Sequence, residues 1–121
     1  MANHPICHTM FESFLILLFE ALGTGLFACL FICSSYQLAG AAFVDPMSIF
    51  LGYFVLLILA ARISGAHYNP IVTLAFMLRR DAGQFNKWLG ILYMLAQLAG
   101  AYVGALMAYY FFGKSGIYLS V

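Results

Sequence analysis

Asn69 and Pro70 open a short apolar run, Ile71 to Leu78, that ends in Arg79, Arg80 and Asp81. Asn is a strong helix N-cap, because its side-chain oxygen accepts from the backbone N–H groups of the first turn. Pro at the first helical position gives up an N–H that would have no partner there anyway. A helix N-terminus carries roughly half a positive charge. An Asn amide at that end offers a donor to a neutral guest such as a water oxygen, while the dipole repels cations and protons; this is the chemistry of selective passage. The plainer reading of Asn69 is a helix cap within a packed bundle. The preceding loop, Ser64, Gly65, Ala66, His67 and Tyr68, would add backbone carbonyl acceptors if it lines a cavity. His67 reads as a loop-packing residue rather than a catalyst. No nucleophile–base pair, phosphate-binding Gly loop or pair of carboxylates occurs, so neither an enzyme nor a cofactor is expected.

Two further polar residues stand in apolar surroundings, Glu20 and Gln97. An ionisable group in lipid costs at least a few kcal/mol, so Glu20 should face protein or water. It is expected to be a post that accepts backbone N–H groups from a loop entering the membrane, with Gln97 as its neighbour. The alternative is a residue tolerated through protonation or through a partner in another subunit.

The elements that must position these residues follow from composition. Of 121 residues, five are Lys or Arg and four are Asp or Glu; 65% are hydrophobic and mean hydropathy is +1.00. A soluble domain is about one quarter charged, so this chain cannot cover itself with a polar surface. A soluble enzyme and a disordered tail are excluded, and a net charge of +1 gives no field for nucleic acid. Lipid is the expected surrounding.

Three stretches are long enough to span, about 13–33, 47–63 and 88–112, within a single membrane domain. Between the second and third, the breaker cluster 64–70 precedes a helix that ends by Arg80. At 1.5 Å per residue that helix covers only about 15 Å, half a hydrocarbon core. The segment 64–80 is therefore expected to be a re-entrant loop and half-helix, with its Arg end at the surface and its Asn end near the midplane. The alternative, an amphipathic helix lying on the membrane, would have a poor polar face, since Thr73 is the one strongly polar residue from 71 to 78. The fold class is thus an all-α membrane protein of three transmembrane helices plus one half-helix.

Small residues recur every four positions, as Ala21, Gly25, Cys29 and Cys33 in the first span and Ala96, Gly100, Gly104 and Ala108 in the third. Such stripes let helix backbones approach closely. Arg62, Arg79, Arg80 and Lys87 lie between the second and third spans, against Lys114 alone elsewhere. This bias places that connector and the N-terminus inside, with the C-terminus outside. The first ten residues lack Lys and Arg and do not read as a signal peptide or presequence. A plasma membrane and an organellar membrane, the mitochondrial inner membrane included, both accommodate the chain. Cys29 and Cys33 are wrongly placed to pair as a disulfide, and His4, Cys7 and His8 are too few for a metal site.

The stretch from Ser64 to Thr73 (SGAHYNPIVT) resembles the first Asn-Pro-Ala loop of the aquaporin, or major intrinsic protein, family. Glu20 to Thr24 (EALGT) is similar to the family's first-helix motif, and Ala96 to Ala105 (AQLAGAYVGA) to its third-helix motif. The resemblance covers residues 12–112. It implies six spans and two half-helices in two inverted halves, whose Asn residues meet at the midplane and orient a single file of water. On that basis Asn69, Pro70 and Ile71, with Gly65, Ala66 and His67, would line the path, Glu20 and Gln97 would support the loop, and Gly25, Gly100 and Gly104 would pack helices. Family members are usually tetramers passing water, glycerol or small neutral solutes. The sequence departs from the pattern at Ile71, where the family has a tightly packed Ala. It also lacks the second half.

Three spans cannot enclose such a pore, and the face meeting the second half would expose groups that lipid cannot satisfy. An obligate protein partner is expected besides membrane lipid. One reading is a channel half-module for passive passage of water or small neutral solutes, completed by a second half-channel chain. The other is a non-conducting structural subunit of a larger membrane complex.

Overall fold

The computed structural model describes residues 10–38, 41–79, 86–112 and 118–119. The expectations attached to His4, Cys7, His8, Arg80 and Lys114 lie outside the described residues. Helices carry the architecture: α1 (Met10–Cys33), α2 (Pro46–Ala60), α3 (Pro70–Leu78) and α4 (Lys87–Phe112). With 24 and 26 residues, α1 and α4 are about 36 and 39 Å long and apolar enough to cross a bilayer. The 15 residues of α2 reach only about 22 Å.

Asp45 caps α2 by accepting from Met47 N at 3.1 Å and Ser48 N at 3.3 Å, and Pro46 takes the first position. The helix stops at Ala60, short of the expected Ile63. Ile63 N and Ser64 N both donate to the Ala60 carbonyl at 2.9 Å, so the last turn tightens and delivers the chain to Ser64. Among the described residues, three short strands supplement the helices: β1 (Ser35–Leu38), β2 (Ala41–Val44) and β3 (Tyr118–Leu119), in the order β2-β1-β3. Both pairings are antiparallel, with Ser35 opposite Val44 and Tyr36 opposite Leu119. The sequence reading has only a connector after the first span.

The closest helix pair is α1 with α4. A Cβ added to Gly100 would overlap the Ala21 carbonyl oxygen, and one added to Gly104 would overlap that of Gly25. The two small-residue stripes therefore face each other at backbone contact, with Ala108 fully buried farther along. On its other side α1 meets α2, where the Phe27 and Tyr53 rings lie 4.6 Å apart.

The burial pattern is the reverse of a soluble protein's. Phe14, Leu22, Leu26, Phe50, Phe54, Leu98 and Tyr102 are exposed, whereas the largest fully buried side chains among the described residues are Gln97, Glu20 and Thr73. Apolar groups lose nothing against lipid tails, but a polar group must find its partner within the protein.

Candidate functional site

Six of the buried polar residues, Glu20, Thr24, Ser64, His67, Thr73 and Gln97, form one connected group around Glu20. Its side chain is completely buried and near the midpoint of α1. Oε1 accepts from Ser64 Oγ at 2.5 Å and His67 N at 3.1 Å; Oε2 accepts from Tyr68 N at 2.9 Å and Gln97 Nε2 at 2.7 Å. An acceptor-only carboxylate thus meets four donors, two of them backbone N–H groups that would otherwise be orphaned in a non-helical stretch. Thr24 Oγ1 donates to the Glu20 carbonyl at 2.7 Å, one turn along the same face.

The bonds to Glu20 explain a loop conformation that side chains resist. Gly65, Ala66 and Tyr68 have φ of 86°, 52° and 49°. The left-handed region costs a non-Gly residue about 1–2 kcal/mol, so Ala66 and Tyr68 need external support. Ala66 N donates to Ser64 Oγ at 3.1 Å, and the Tyr68 hydroxyl donates to the Leu56 carbonyl at 3.0 Å. The Tyr68 ring occupies the space over Gly23, where a Cβ would overlap it. From α4, the Tyr93 hydroxyl donates to the Ser64 carbonyl at 2.8 Å.

A second knot fastens α3. Gln97 Nε2 spends its two hydrogens on Glu20 and on Thr73 Oγ1, the latter at 2.9 Å. Thr73 has a single proton, with His67 Nδ1 at 3.1 Å, the Asn69 carbonyl at 3.3 Å and Gln97 Oε1 at 3.4 Å within reach. The His67 ring stacks on Phe76 at 4.5 Å and meets Tyr93 edge-on at 5.4 Å.

Asn69 stands at the rim of this group. Its Oδ1 accepts from Ile71 N at 2.9 Å, its carbonyl accepts from Thr73 N at 3.0 Å, and its side chain is exposed. Because a backbone N–H fixes the oxygen inward, the amide NH2 is the end left to face outward. Pro70 follows half-buried, and Ile71 is 74% exposed beside it. Gly65 is exposed, whereas Ala66 and His67 are buried. The loop therefore presents Gly65, Asn69 and Ile71 on its open side and turns Ser64, His67 and Tyr68 inward. The nine residues of α3 extend about 14 Å from Asn69.

Glu20, Gln97 and the loop are brought together. Gly25, Gly100 and Gly104 belong to the α1–α4 contact that holds the two polar side chains level. Sequence reasoning passed over the side chains of Ser64, Thr73, Tyr68 and Tyr93. A signal existed for two of them: Tyr93 lies four residues before Gln97, on the same face of α4, and Thr73 is the lone polar residue of α3, one turn after its cap.

Among the described residues, two helices are long and apolar enough to cross a bilayer, and a polar knot joins them near their midpoints, as fits an integral membrane protein. Residues 9–119 match the family model "Major intrinsic protein", and the chain belongs to that family. It is similar to the probable aquaporin TIP2-2 of Oryza sativa subsp. japonica, at 34% identity over 80% of this chain and 38% of that one. It is also similar to the propanediol uptake facilitator PduF of Salmonella typhimurium, at 42% identity over 74% of this chain and 35% of that one. The aquaglyceroporin AqpS of Rhizobium meliloti shares 31% identity over 77% of this chain and 42% of its own length. The chain thus spans well under half the length of these relatives. No solved structure matches it significantly.

Proposed function

We propose that this chain forms one half of a membrane channel for passive passage of water or small neutral solutes. In this reading α1 and α4 span the bilayer, α2 together with the turn that follows it makes the third crossing, and α3 is a re-entrant half-helix. The observation that carries it is the bonding of His67 N and Tyr68 N to Glu20, which ties the loop to the middle of α1 and leaves the Asn69 amide exposed at that depth. A loop held there lies inside the hydrocarbon layer, and an exposed amide donor is tolerated there only against water, a polar guest or further protein. The names of the relatives, an aquaporin and a diol facilitator among them, support small uncharged cargo.

The open side of α3 carries Asn69 and Gly65 together with exposed Ile71, so a second unit must cover it to close a pathway. That unit is a second three-span half, whether a separate chain or a further stretch of polypeptide. Ile71 narrows the opening relative to the Ala of the family pattern and so calls for a small residue opposite.

Osmotic shrinkage of vesicles, followed by light scattering, tests the reading. Vesicles holding this chain alone should stay near background permeability. Those that also hold the second half of the Salmonella propanediol facilitator should shrink faster. No gain with any second half, in vesicles where the two are shown to associate, would reject conduction in favour of a structural subunit.

A further inference from the structure

One face of α4 is open from Trp88 to Tyr109. Trp88, Leu95, Leu98, Tyr102, Leu106 and Tyr109 recur on it at helical spacing, and all six are exposed, Trp88 at 78% and Tyr109 at 68%. On the opposite face Tyr93, Gln97, Gly100, Gly104 and Ala108 are buried against α1 and the loop. We propose that the open face is a lipid-contact surface. It sets the chain in a bilayer whose hydrocarbon layer is about 30 Å thick, with Trp88 at one headgroup boundary and Tyr109 at the other.

Two helices agree on that register. Trp88 and Tyr109 are 21 residues apart, about 32 Å of helix. Gln97 lies nine residues past Trp88, within about 2 Å of the middle of this interval, and its bond to Glu20 holds α1 at the same level. α1 runs in the same direction as α4, since Ala21 meets Gly100 and Gly25 meets Gly104. Glu12 stands eight residues before Glu20, about 12 Å toward the Trp88 end, and the polar pair Ser34 and Ser35 follows α1 at the Tyr109 end. Between these limits neither helix carries a charged residue other than Glu20.

Lipid fits this face better than a further helix does. Helices approach one another in a bilayer through small residues, and Gly100 and Gly104 of α4 already meet α1. The open face has large apolar side chains over its middle and aromatic ones at its ends, which is the order of hydrocarbon and interface. Trp and Tyr join an apolar ring to a polar tip, and each boundary offers that tip a partner. Lys87, exposed beside Trp88, adds a cation where lipid phosphates lie. Tyr102 is the polar tip inside the interval, and a protein covering this face would hold it by its hydroxyl. Protein contacts belong instead to the Asn69 side.

The chain has a single tryptophan, so its fluorescence reports the Trp88 boundary alone. The test places the full chain in phosphatidylcholine vesicles whose acyl chains carry bromine either near the glycerol or near the methyl end. Quenching should be about twofold stronger from the bromine near the glycerol, at every protein-to-lipid ratio. In a Trp88→Phe background, Tyr109→Trp should give the same order, whereas Leu98→Trp should reverse it. Strongest quenching of Trp88 by the methyl-end bromine, or quenching by neither, would overturn the register on the parent chain alone. Quenching that fades as protein density rises, and that Tyr102→Phe restores, would assign the face to a second copy of the chain instead. None of these outcomes depends on conduction, since a chain that passes nothing gives the same quenching.

Discussion

Gln97 Nε2 on α4 donates to Glu20 Oε2 on α1 across 2.7 Å, joining residues 77 apart in sequence near the midpoint of both helices. The same carboxylate holds the loop, and the same amide holds Thr73 on α3. One contact therefore sets the depth of three elements at once. Its position relies on Gly100 and Gly104, since any side chain there would force α4 away from α1 and lengthen the bridge.

Glu20→Gln is expected to be strongly destabilising although it preserves size. It replaces one acceptor oxygen with an NH2 group that must face a donor, and it removes the charge from the remaining bonds. The loss should be about 3 kcal/mol, the scale for a broken bond to a charged group with a buried donor left over. Unfolding in detergent by denaturant, followed by circular dichroism, measures it. A variant within about 0.5 kcal/mol of the parent would show that the carboxylate does not organise the loop.

Helix packing gives a graded series. Gly100→Ala and Gly104→Ala place a methyl group onto the Ala21 and Gly25 carbonyl oxygens, while a Cβ at Gly25 would stand 2.8 Å from the Gly100 carbonyl oxygen. Each of the first two should cost about 1–3 kcal/mol, and Gly25→Ala should cost less. The ranking is read from the same unfolding curves. Equal and negligible costs would mean that the two helices are not in backbone contact.

Much of this arrangement was legible in the sequence, and what was not has a physical reason. The cap at Asn69, the shortness of the following helix and the small-residue stripes are local patterns, and spacing reveals them. The left-handed backbone of Ala66 and Tyr68 is not legible, because neither residue favours it; it exists through partners on α1, α2 and α4. The end of α2 at Ala60 is hidden for the same reason, since Ala61 and Ile63 would continue the apolar run. The pairing of Tyr36 and Gln37 with Tyr118–Leu119 joins segments about eighty residues apart, which local spacing does not encode, whereas the pairing of Ser35–Leu38 with Ala41–Val44 is local. Thr73 and Tyr93 are marked only by their one-turn spacing from Asn69 and Gln97, and Ser64 carries no such mark, since only the fold brings its side chain to Glu20.

Asp45 makes the α2 cap sensitive to acid. The Ser48 hydroxyl and then the Ser48 N–H hold its carboxyl below the usual carboxylate range against an opposing desolvation, and the Met47 N–H adds to them. A carboxyl depressed in the folded state contributes stability above its unfolded pKa of about 3.9, and that contribution disappears as pH falls through the folded value. The parent should therefore exceed Asp45→Leu in thermal stability at neutral pH, and the gap should narrow in acid. Measuring both proteins across this range by circular dichroism decides the matter. A gap that stays constant with pH would remove the charged cap from the account.

Asn69→Asp separates the two jobs of the Asn69 side chain. The remaining Oδ1 can still accept from Ile71 N, and Asp caps helices about as well as Asn, so in the completed pore, where the position faces water, α3 should keep its stability to within a few tenths of a kcal/mol. The outward NH2 donor, however, becomes a carboxylate oxygen, which neither orients a water oxygen nor repels a cation. In vesicles holding the completed pore, osmotic flux should fall roughly tenfold, the equivalent of one lost hydrogen bond. Asn69→Ala is the converse, since it loses the cap as well, at about 1 kcal/mol of stability, and should lower both readouts. Flux unchanged in Asn69→Asp, with the unfolding curve also unchanged, would mean that the exposed amide faces protein or lipid and that the path runs elsewhere.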